Sequence, residues 1–198
     1  MEVGEIEPDK SMLERLAWVQ RKLADRLRTV KLDLNGVKTV GAVDVSYRGN
    51  RARAAFVLCS FPECRPLLQE VTVTDVAFPY VPTFFFLRET KPAIMAVLKA
   101  GKKPDVLLVG GHGRAHPRGY GLASHVGLVL GVPTVGVARR LLCGTPEGSF
   151  KKVGRVYVSE GNLIDLDSAV RIVEMTIDGG CPKPLKLADR LSKRWEDG

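Results

Sequence analysis

The sequence has few cysteines, and their spacing argues against a structural zinc site. Four cysteines occur among 198 residues: Cys59, Cys64, Cys143 and Cys181. Structural zinc sites use sets of closely spaced cysteine or histidine pairs. Cys59 and Cys64 are five positions apart with Pro62 between them, and no second pair accompanies them. We therefore expect free thiols.

Long apolar runs, internal repeats and low-complexity segments are also absent. No apolar run approaches the ~20 residues that cross a membrane. The acidic segment Met1–Glu5 lacks the basic and apolar regions of a signal peptide. Because one domain takes ~100–200 residues, the length favours a single domain over residues 1–198. These absences predict a monomeric cytoplasmic protein that does not contact a membrane.

Acidic residues are outnumbered by basic ones. There are 22 aspartates and glutamates against 30 lysines and arginines, which gives a formal net charge of +8. This balance favours nucleic acid or another polyanion as a partner. A basic protein that is merely soluble would have the same composition.

One glycine-rich loop, residues Gly110–Gly121, organises the chain around it. An apolar run, Val106–Val109, precedes the loop, and a helix-like stretch, Leu122–Leu130, follows it. In α/β proteins a strand, a glycine-rich turn and a helix in this order build sites at the carboxyl ends of strands. The loop carries two arginines and two histidines, which suit an anion such as phosphate. A basic surface loop without a ligand is the alternative.

The pattern along the chain predicts a mixed sheet with helices on both faces. Helical spacing of Leu13, Leu16, Val19, Leu23 and Leu27 predicts an amphipathic helix over 11–28. Strands are predicted at 37–47, 52–60, 67–76, 105–109 and 131–138, with a strand or hairpin at 153–158. Helices are predicted at 89–100, 122–130, 166–177 and 185–195, the last after a stiff link at 181–184. The fold class is α/β, with an antiparallel meander followed by parallel strands.

Two carboxylates are candidates for a metal site. Asp44 interrupts an apolar strand, where a carboxylate is costly unless it is paired or binds a metal. A strand-end aspartate that faces water is the alternative. Glu89 stands at the predicted start of a helix, an ordinary place for an acid. If both meet the glycine loop at one end of the sheet, they suit Mg²⁺ or Mn²⁺ held for phosphodiester cleavage.

A stiff aromatic segment precedes the second helix. Pro79 and Pro82 flank Tyr80 and Val81, and three phenylalanines follow after Thr83. Prolines restrict the backbone to extended conformations. The aromatic rings could stack on bases, or they could pack in the core.

Five motifs together resemble those of the endonuclease V family, in order and over nearly the whole chain. They are Val43–Tyr47, Pro79–Pro82 with Arg88–Glu89, Gly111–Arg118 with Gly121–His125, Pro133–Arg139, and Pro182–Pro184 with Leu187–Asp189. The resemblance implies a ribonuclease H-like fold and Mg²⁺-dependent cleavage, with Mn²⁺ as the alternative metal. It implies hydrolysis of the second phosphodiester 3′ to a deaminated base, chiefly inosine, in DNA or in RNA.

The resemblance also implies roles for individual residues. Asp44 would bind the metal, Glu89 would act at the metal or through its water, and His116 would support the scissile phosphate or the catalytic water. Tyr80 would act as a wedge that fills the gap left by the extruded base, because extrusion costs a few kcal/mol. The residues implied to contact nucleic acid or the base are Tyr80, Pro82, Phe85, Gly111, Gly113, Gly121, Leu122, Arg139 and Leu142.

Three positions depart from the family pattern. Gly110 stands where the family has a metal-binding aspartate, Arg139 where it usually has lysine, and Asp189 where many relatives have histidine. Asp189 could supply the missing carboxylate, whereas His112 is a poor substitute because imidazole suits softer metals. One alternative is therefore a protein that binds inosine-containing nucleic acid with little or no cleavage. Another is a small-molecule phosphate-binding α/β protein.

Overall fold

The computed structural model describes residues 7–195, and Met1–Glu5 lies outside them. The helices are α1 (Lys10–Ala24), α2 (Phe85–Lys99), α3 (Leu122–Leu130), α4 (Leu166–Thr176) and α5 (Lys183–Ser192). The strands are β1 (Thr39–Arg48), β2 (Arg51–Ser60), β3 (Pro66–Asp75), β4 (Val106–Gly110), β5 (Thr134–Ala138), β6 (Lys151–Val153), β7 (Val156–Asn162), β8 (Ile177–Asp178) and β9 (Cys181–Pro182). All four cysteines are free thiols, as expected.

Seven strands form one mixed sheet in the order β3-β2-β1-β4-β5-β7-β6. Strands β1, β2 and β3 form an antiparallel meander, while β4 runs parallel to both β1 and β5. Strand β7 closes the other side antiparallel to β5. The predicted mixed α/β sheet is therefore confirmed, and the carboxyl ends of β1, β4 and β5 meet at one edge.

Alternating side chains divide the core between the two faces of the sheet. On β4, Val106 and Leu108 pack towards α4 and α5, whereas Leu107 and Val109 pack towards α1, α2 and α3. This alternation follows from the two-residue period of a strand. Helices therefore cover both faces, which explains why these strands are apolar throughout.

Tertiary packing changes two of the predicted helices. In α1, Gln20 is fully buried while Val19 is 41% exposed, so Val19 does not lie on the buried face that the helical spacing indicated. Helix α2 begins at Phe85, and Glu89 therefore lies inside the helix rather than at its start. The buried ring of Phe86, which packs against Tyr120 and His125, draws the aromatic run into the helix.

The predicted link over 181–184 is also wrong. Strand β9 pairs with β8, and α5 already begins at Lys183. Pro184 fits there because a proline in the first helical turn removes only an N–H that has no intrahelical partner.

Helix length bears on the membrane prediction. Within residues 7–195 the longest helices, α1 and α2, have 15 residues each. In this part of the chain no helix is long and apolar enough to cross a membrane.

Candidate active site

Asp44 and Gly110 are neighbours on adjacent parallel strands. The register pairs Val43 with Val109, which places Asp44 on β1 beside Gly110 at the end of β4. Each comes two residues after a core residue that faces α5, namely Ala42 and Leu108, so both lie on the α5 side of the sheet. A Cβ atom at position 110 would overlap Oδ1 of Asp44. The Asp44 carboxylate thus occupies space that a side chain at position 110 would need.

Helix α5 brings a second carboxylate, Asp189, to Asp44. Burial raises the pKa of Asp44 to about 7, and the charge of Asp189 and a hydrogen bond shared with it add to the shift. Two cations lie next to Asp189. Lys193 Nζ is 2.6 Å from Oδ1, and Arg139 Nη2 is 3.9 Å from Oδ2. We call Asp44, Gly110 and Asp189 the carboxylate floor.

Hydrogen bonds at the end of α5 hold this helix on β1. Ser46 Oγ donates to the carbonyl oxygen of Ser192 at 2.5 Å, and Trp195 Nε1 donates to Ser46 Oγ at 3.1 Å. Leu185 and Ala188 of the same helix are buried in the core. The position of Asp189 therefore depends on the docking of the whole helix.

Glu89 approaches Asp44 from the opposite face of the sheet. Its side chain is buried on α2, and Tyr47 Oη donates to its Oε1 at 2.9 Å. Burial raises the pKa of Glu89 well above its usual range, and the charge of Asp44 acts in the same direction. Glu89 is thus electrostatically coupled to Asp44 but lies behind it.

Both ring nitrogens of His116 are hydrogen bonded to the backbone. Nε2 lies 3.0 Å from the Thr83 carbonyl oxygen, and the N–H of Arg118 donates to Nδ1 at 3.1 Å. This pattern defines a neutral ring protonated at Nε2. Burial, followed by the charge of Arg118, lowers the pKa of His116 to about 4.

A cavity of about 730 Å³ opens above the carboxylate floor. Most of the residues predicted to form the site line it: Asp44, Tyr80, Phe85, Gly110, Gly111, His116, Gly121, Leu122, Arg139 and Leu142. Glu89, Pro82 and Gly113 were also predicted, but none of them lines the cavity. The structure therefore brings together residues from β1, the Tyr80 segment, the glycine loop and α5.

The aromatic segment is split between the core and the cavity. Phe84 and Phe86 are buried, so core packing is the fate of these two rings. Tyr80 is 67% exposed and packs edge-on against Phe85, with ring centroids 6.0 Å apart. The alternative that Tyr80 is a core residue is therefore wrong.

Backbone amides of the glycine loop are hydrogen bonded to β7 and within the loop rather than open to an anion. The N–H of Gly113 donates to Ser159 Oγ, that of Arg114 to the Glu160 carbonyl, and that of Gly121 to the Gly113 carbonyl. A Cβ at position 113 would overlap the Glu160 carbonyl oxygen, which explains the glycine. These amides cannot also cradle a phosphate, so the small-molecule phosphate alternative loses its main support.

The loop arginines are also engaged internally. Arg114 pairs with Glu160, and Arg118 donates to Gln20 and Thr83. Other cations at the cavity come from Arg140, Arg155 and Lys186, of which Lys186 is paired with Asp178. The sequence pattern did not indicate Arg155, Lys186 or Lys193 as site residues. Only the spacing of Lys193, four residues after Asp189 on a helix, gave a signal for one of them.

The donors at the carboxylate floor fit a hard cation. Mg²⁺ in proteins is often held by one or two carboxylates while it keeps several waters. Asp44 and Asp189 supply two such groups, and burial, followed by the charge of Asp189, raises the pKa of Asp44. Among the described residues, however, no group of three or more acidic, histidine or cysteine side chains could hold a metal.

Comparison with known proteins identifies the family. The endonuclease V family model matches residues 21–155. Endonuclease V of Thermococcus kodakarensis is 61% identical over 192 residues, 96% of each chain. Endonuclease V of Pyrococcus abyssi is 61% identical over 182 residues, 92% of each chain.

Solved structures agree in fold. The catalytic domain of human endonuclease V superposes with a TM-score of 0.83 at 28% identity, covering 94% of this chain and 96% of that one. Endonuclease V of Streptomyces avermitilis gives 0.84 at 28% identity, covering 98% and 94%. The predicted ribonuclease H-like fold is thereby confirmed. The chain belongs to the endonuclease V family of DNA-repair nucleases and is an endonuclease.

Proposed function

We propose that this endonuclease recognises inosine in nucleic acid and hydrolyses the second phosphodiester 3′ to it with the help of a divalent metal. The observation that carries the proposal is the cavity itself. Its floor presents the carboxylates Asp44 and Asp189, and its wall presents the exposed ring of Tyr80. A metal-dependent nuclease of extruded bases needs both features next to each other.

The relatives support inosine as the recognised base. A Ciona intestinalis endonuclease V, 25% identical with a TM-score of 0.83, was solved with a 24mer DNA containing an inosine followed by a ribo-adenosine. In the present chain Phe85, Leu122 and Leu142 offer apolar walls to a flipped base. The cavity volume of about 730 Å³ lies within the ~300–1,000 Å³ of ligand pockets.

Asp44 and Asp189 would hold Mg²⁺, with Mn²⁺ as the alternative. Such an ion lowers the pKa of a bound water and stabilises charge on phosphate oxygens. The chain's own residues do the remaining work. Arg139, Arg140 and Lys186 would bind phosphates at the cavity mouth, where Arg139 is 77% exposed. Glu89, whose pKa burial and the charge of Asp44 raise, would act on the metal site through water.

His116 is assigned a positioning role. Its Nε2 proton is shared with the Thr83 carbonyl and its Nδ1 lone pair with the Arg118 N–H. With both nitrogens occupied, the ring is not available to take a proton from water unless the loop rearranges. The backbone geometry around the cavity therefore depends on His116.

Cleavage of inosine-containing DNA and RNA oligonucleotides, side by side across a Mg²⁺ titration, tests the proposal. We expect metal-dependent cleavage at the second phosphodiester bond 3′ to inosine. Matched strands with adenine in place of inosine should not be cleaved. Gly110 should keep the rate low, because one carboxylate of the family pattern is missing. Cleavage that is independent of both inosine and metal would contradict the proposal.

A second candidate function is binding of inosine-containing nucleic acid with little or no cleavage. The lack of a third metal-binding side chain among the described residues favours it. Affinity comes largely from phosphate contacts, so the cations at the cavity mouth suffice for binding. The same titration separates the two functions, since a pure binder would retain inosine selectivity without cleavage at any Mg²⁺ concentration.

A further inference from the structure

Three donors converge on one backbone oxygen at the end of residues Pro79–Thr83, which we call the Tyr80 segment. The Thr83 carbonyl oxygen accepts from Arg118 Nη2 at 2.7 Å, His116 Nε2 at 3.0 Å and Gln20 Nε2 at 3.4 Å. Thr83 Oγ1 accepts a further bond from Arg118 Nη2 at 2.6 Å. Helix α1 and the glycine loop thus hold the same residue.

Thr83 has a backbone conformation that needs such support. Its φ is +68°, in the left-handed region that β-branched residues disfavour. Strained conformations of this kind persist only where surrounding contacts determine them. The converging donors are therefore expected to fix the direction in which the chain leaves the Tyr80 segment.

Gln20 is the centre of this arrangement. Its side chain is 0% exposed, and both ends of its amide are bonded. Nε2 donates to the Tyr120 carbonyl at 2.5 Å, and Oε1 accepts from Arg118 Nε at 2.6 Å. Arg118 in turn lies over the Phe84 ring at 4.3 Å. Gln20 therefore sets the orientation in which Arg118 meets Thr83.

The opposite end of the Tyr80 segment is held as well. Arg88 Nη1 donates to the carbonyl oxygen of Phe78 at 2.9 Å. Between these two anchors the ring of Tyr80 remains largely exposed at the cavity. Its direction is thus determined by the anchors and by the edge-on contact with Phe85 rather than by burial of the ring.

We infer that Gln20, acting through Arg118, is a positioning residue that orients the Tyr80 segment for extrusion of a base from a duplex. The inference rests on the proposed function. Gln20 does not touch the carboxylate floor, and a base in a single strand needs no wedge to leave a stack. Loss of Gln20 should therefore weaken recognition of inosine in duplexes and leave recognition in single strands intact.

Two substitutions and one control test this role. Gln20→Met keeps the length of the side chain and removes both hydrogen-bonding ends, whereas Gln20→Glu keeps the acceptor that faces Arg118. Gln69→Met makes the same chemical change on the exposed side of β3. For each protein, fluorescence anisotropy gives dissociation constants for duplex and single-stranded oligonucleotides with inosine or adenine at one position. Melting temperatures report folding.

We expect Gln20→Met to lower the inosine preference in duplexes about tenfold, the lower end of what base stacking contributes. The preference in single strands should not change. Gln20→Glu should lie between Gln20→Met and the unmodified protein, and Gln69→Met should match the unmodified protein. If Gln20→Met does not fold, the comparison of Gln20→Glu with Gln69→Met carries the test.

Equal losses in duplexes and single strands, or no loss in duplexes, would overturn the inference. Failure of the proposed function looks different. In that case the unmodified protein would show no inosine preference in either format.

Discussion

The carboxylate floor and the contacts around Thr83 lie at one cavity but differ in their electrostatics. At the floor, Asp44 and Asp189 bring like charges together, and burial raises the pKa of Asp44 to about 7. At Thr83, the carbonyl oxygen and Oγ1 accept hydrogen bonds from the side chains of His116 and Arg118. One region brings two acidic groups together, and in the other the acceptor oxygens are hydrogen bonded.

This difference distinguishes the residues expected to act in cleavage from those expected to hold the structure in place. Perturbed carboxylates mark places where charge is arranged for a reaction or a ligand. Saturated buried networks rigidify a structure and specify one conformation. Substitutions at the floor should therefore change cleavage with little effect on recognition, and substitutions around the Tyr80 segment should do the reverse.

The largest expected effect comes from breaking the floor. Asp44→Ala should reduce metal-dependent cleavage by roughly a hundredfold or more, ~2.7 kcal/mol of barrier. Duplex binding should persist, because it depends mainly on phosphate contacts. Single-turnover cleavage and anisotropy measure the two properties, with Asp75→Ala at the exposed end of β3 as control. Full cleavage by Asp44→Ala would remove Asp44 from the site.

Adding charge at the floor sharpens the contrast. Gly110→Asp should raise Mg²⁺-dependent cleavage at least tenfold, about 1.4 kcal/mol, once the Asp44 carboxylate rotates out of the space it now occupies. Gly110→Asn has the same shape without the charge and serves as the control. The measurement is single-turnover cleavage of one inosine-containing duplex across a Mg²⁺ titration. Equal rates for all three proteins would mean that Asp189 already replaces the missing ligand.

A smaller effect is expected at the exposed ring. Tyr80→Ala should lower selectivity for inosine over adenine in duplexes about tenfold, since stacking contributes ~1–3 kcal/mol per base. Tyr80→Phe keeps the ring and should behave like the unmodified protein. Binding to undamaged duplex should not change in either variant. An unchanged affinity ratio in Tyr80→Ala would argue against a wedge.

The last expected effect concerns stability in acid rather than activity. The pKa of His116 falls from 6.5 to about 4 on folding, so between these values the unfolded chain binds a proton that the folded chain does not. The contribution of His116 to stability is therefore present above pH 6.5 and is lost as the pH falls towards 4. Denaturant unfolding between pH 4 and 7 measures how the free energy of unfolding depends on pH. This dependence should be shallower for His116→Gln than for the unmodified protein. Equal dependences in the two proteins would show that the ring is not neutral in the folded protein.

Much of this site could be predicted from local pattern. Strand alternation placed Asp44 on an interior strand, and the order of strands placed it beside the end of β4 at Gly110. The bounds predicted for Leu122–Leu130 are those observed. These features depend on sequence neighbours and on strand periodicity, which a single sequence displays.

Other features depend on partners distant in sequence. Gln20 occupies an apolar position of α1 only because Tyr120, Arg118 and Thr83 offer it bonds. Glu89 lies behind Asp44, and Asp189 reaches it only because α5 docks on β1. Residue spacing along the chain does not indicate contacts between residues so distant in sequence. The sequence alone therefore could not predict these contacts.

The docking of α5 has a consequence for heat inactivation. Asp189 belongs to a helix held on β1 by Ser46, Ser192 and Trp195 and by buried Leu185 and Ala188. Individual helices can detach by local opening at a lower free energy than global unfolding requires. A detached α5 would carry Asp189 away while the Tyr80 segment, held by α1 and the glycine loop, kept its place. On warming, cleavage should therefore fail before recognition of the altered base does.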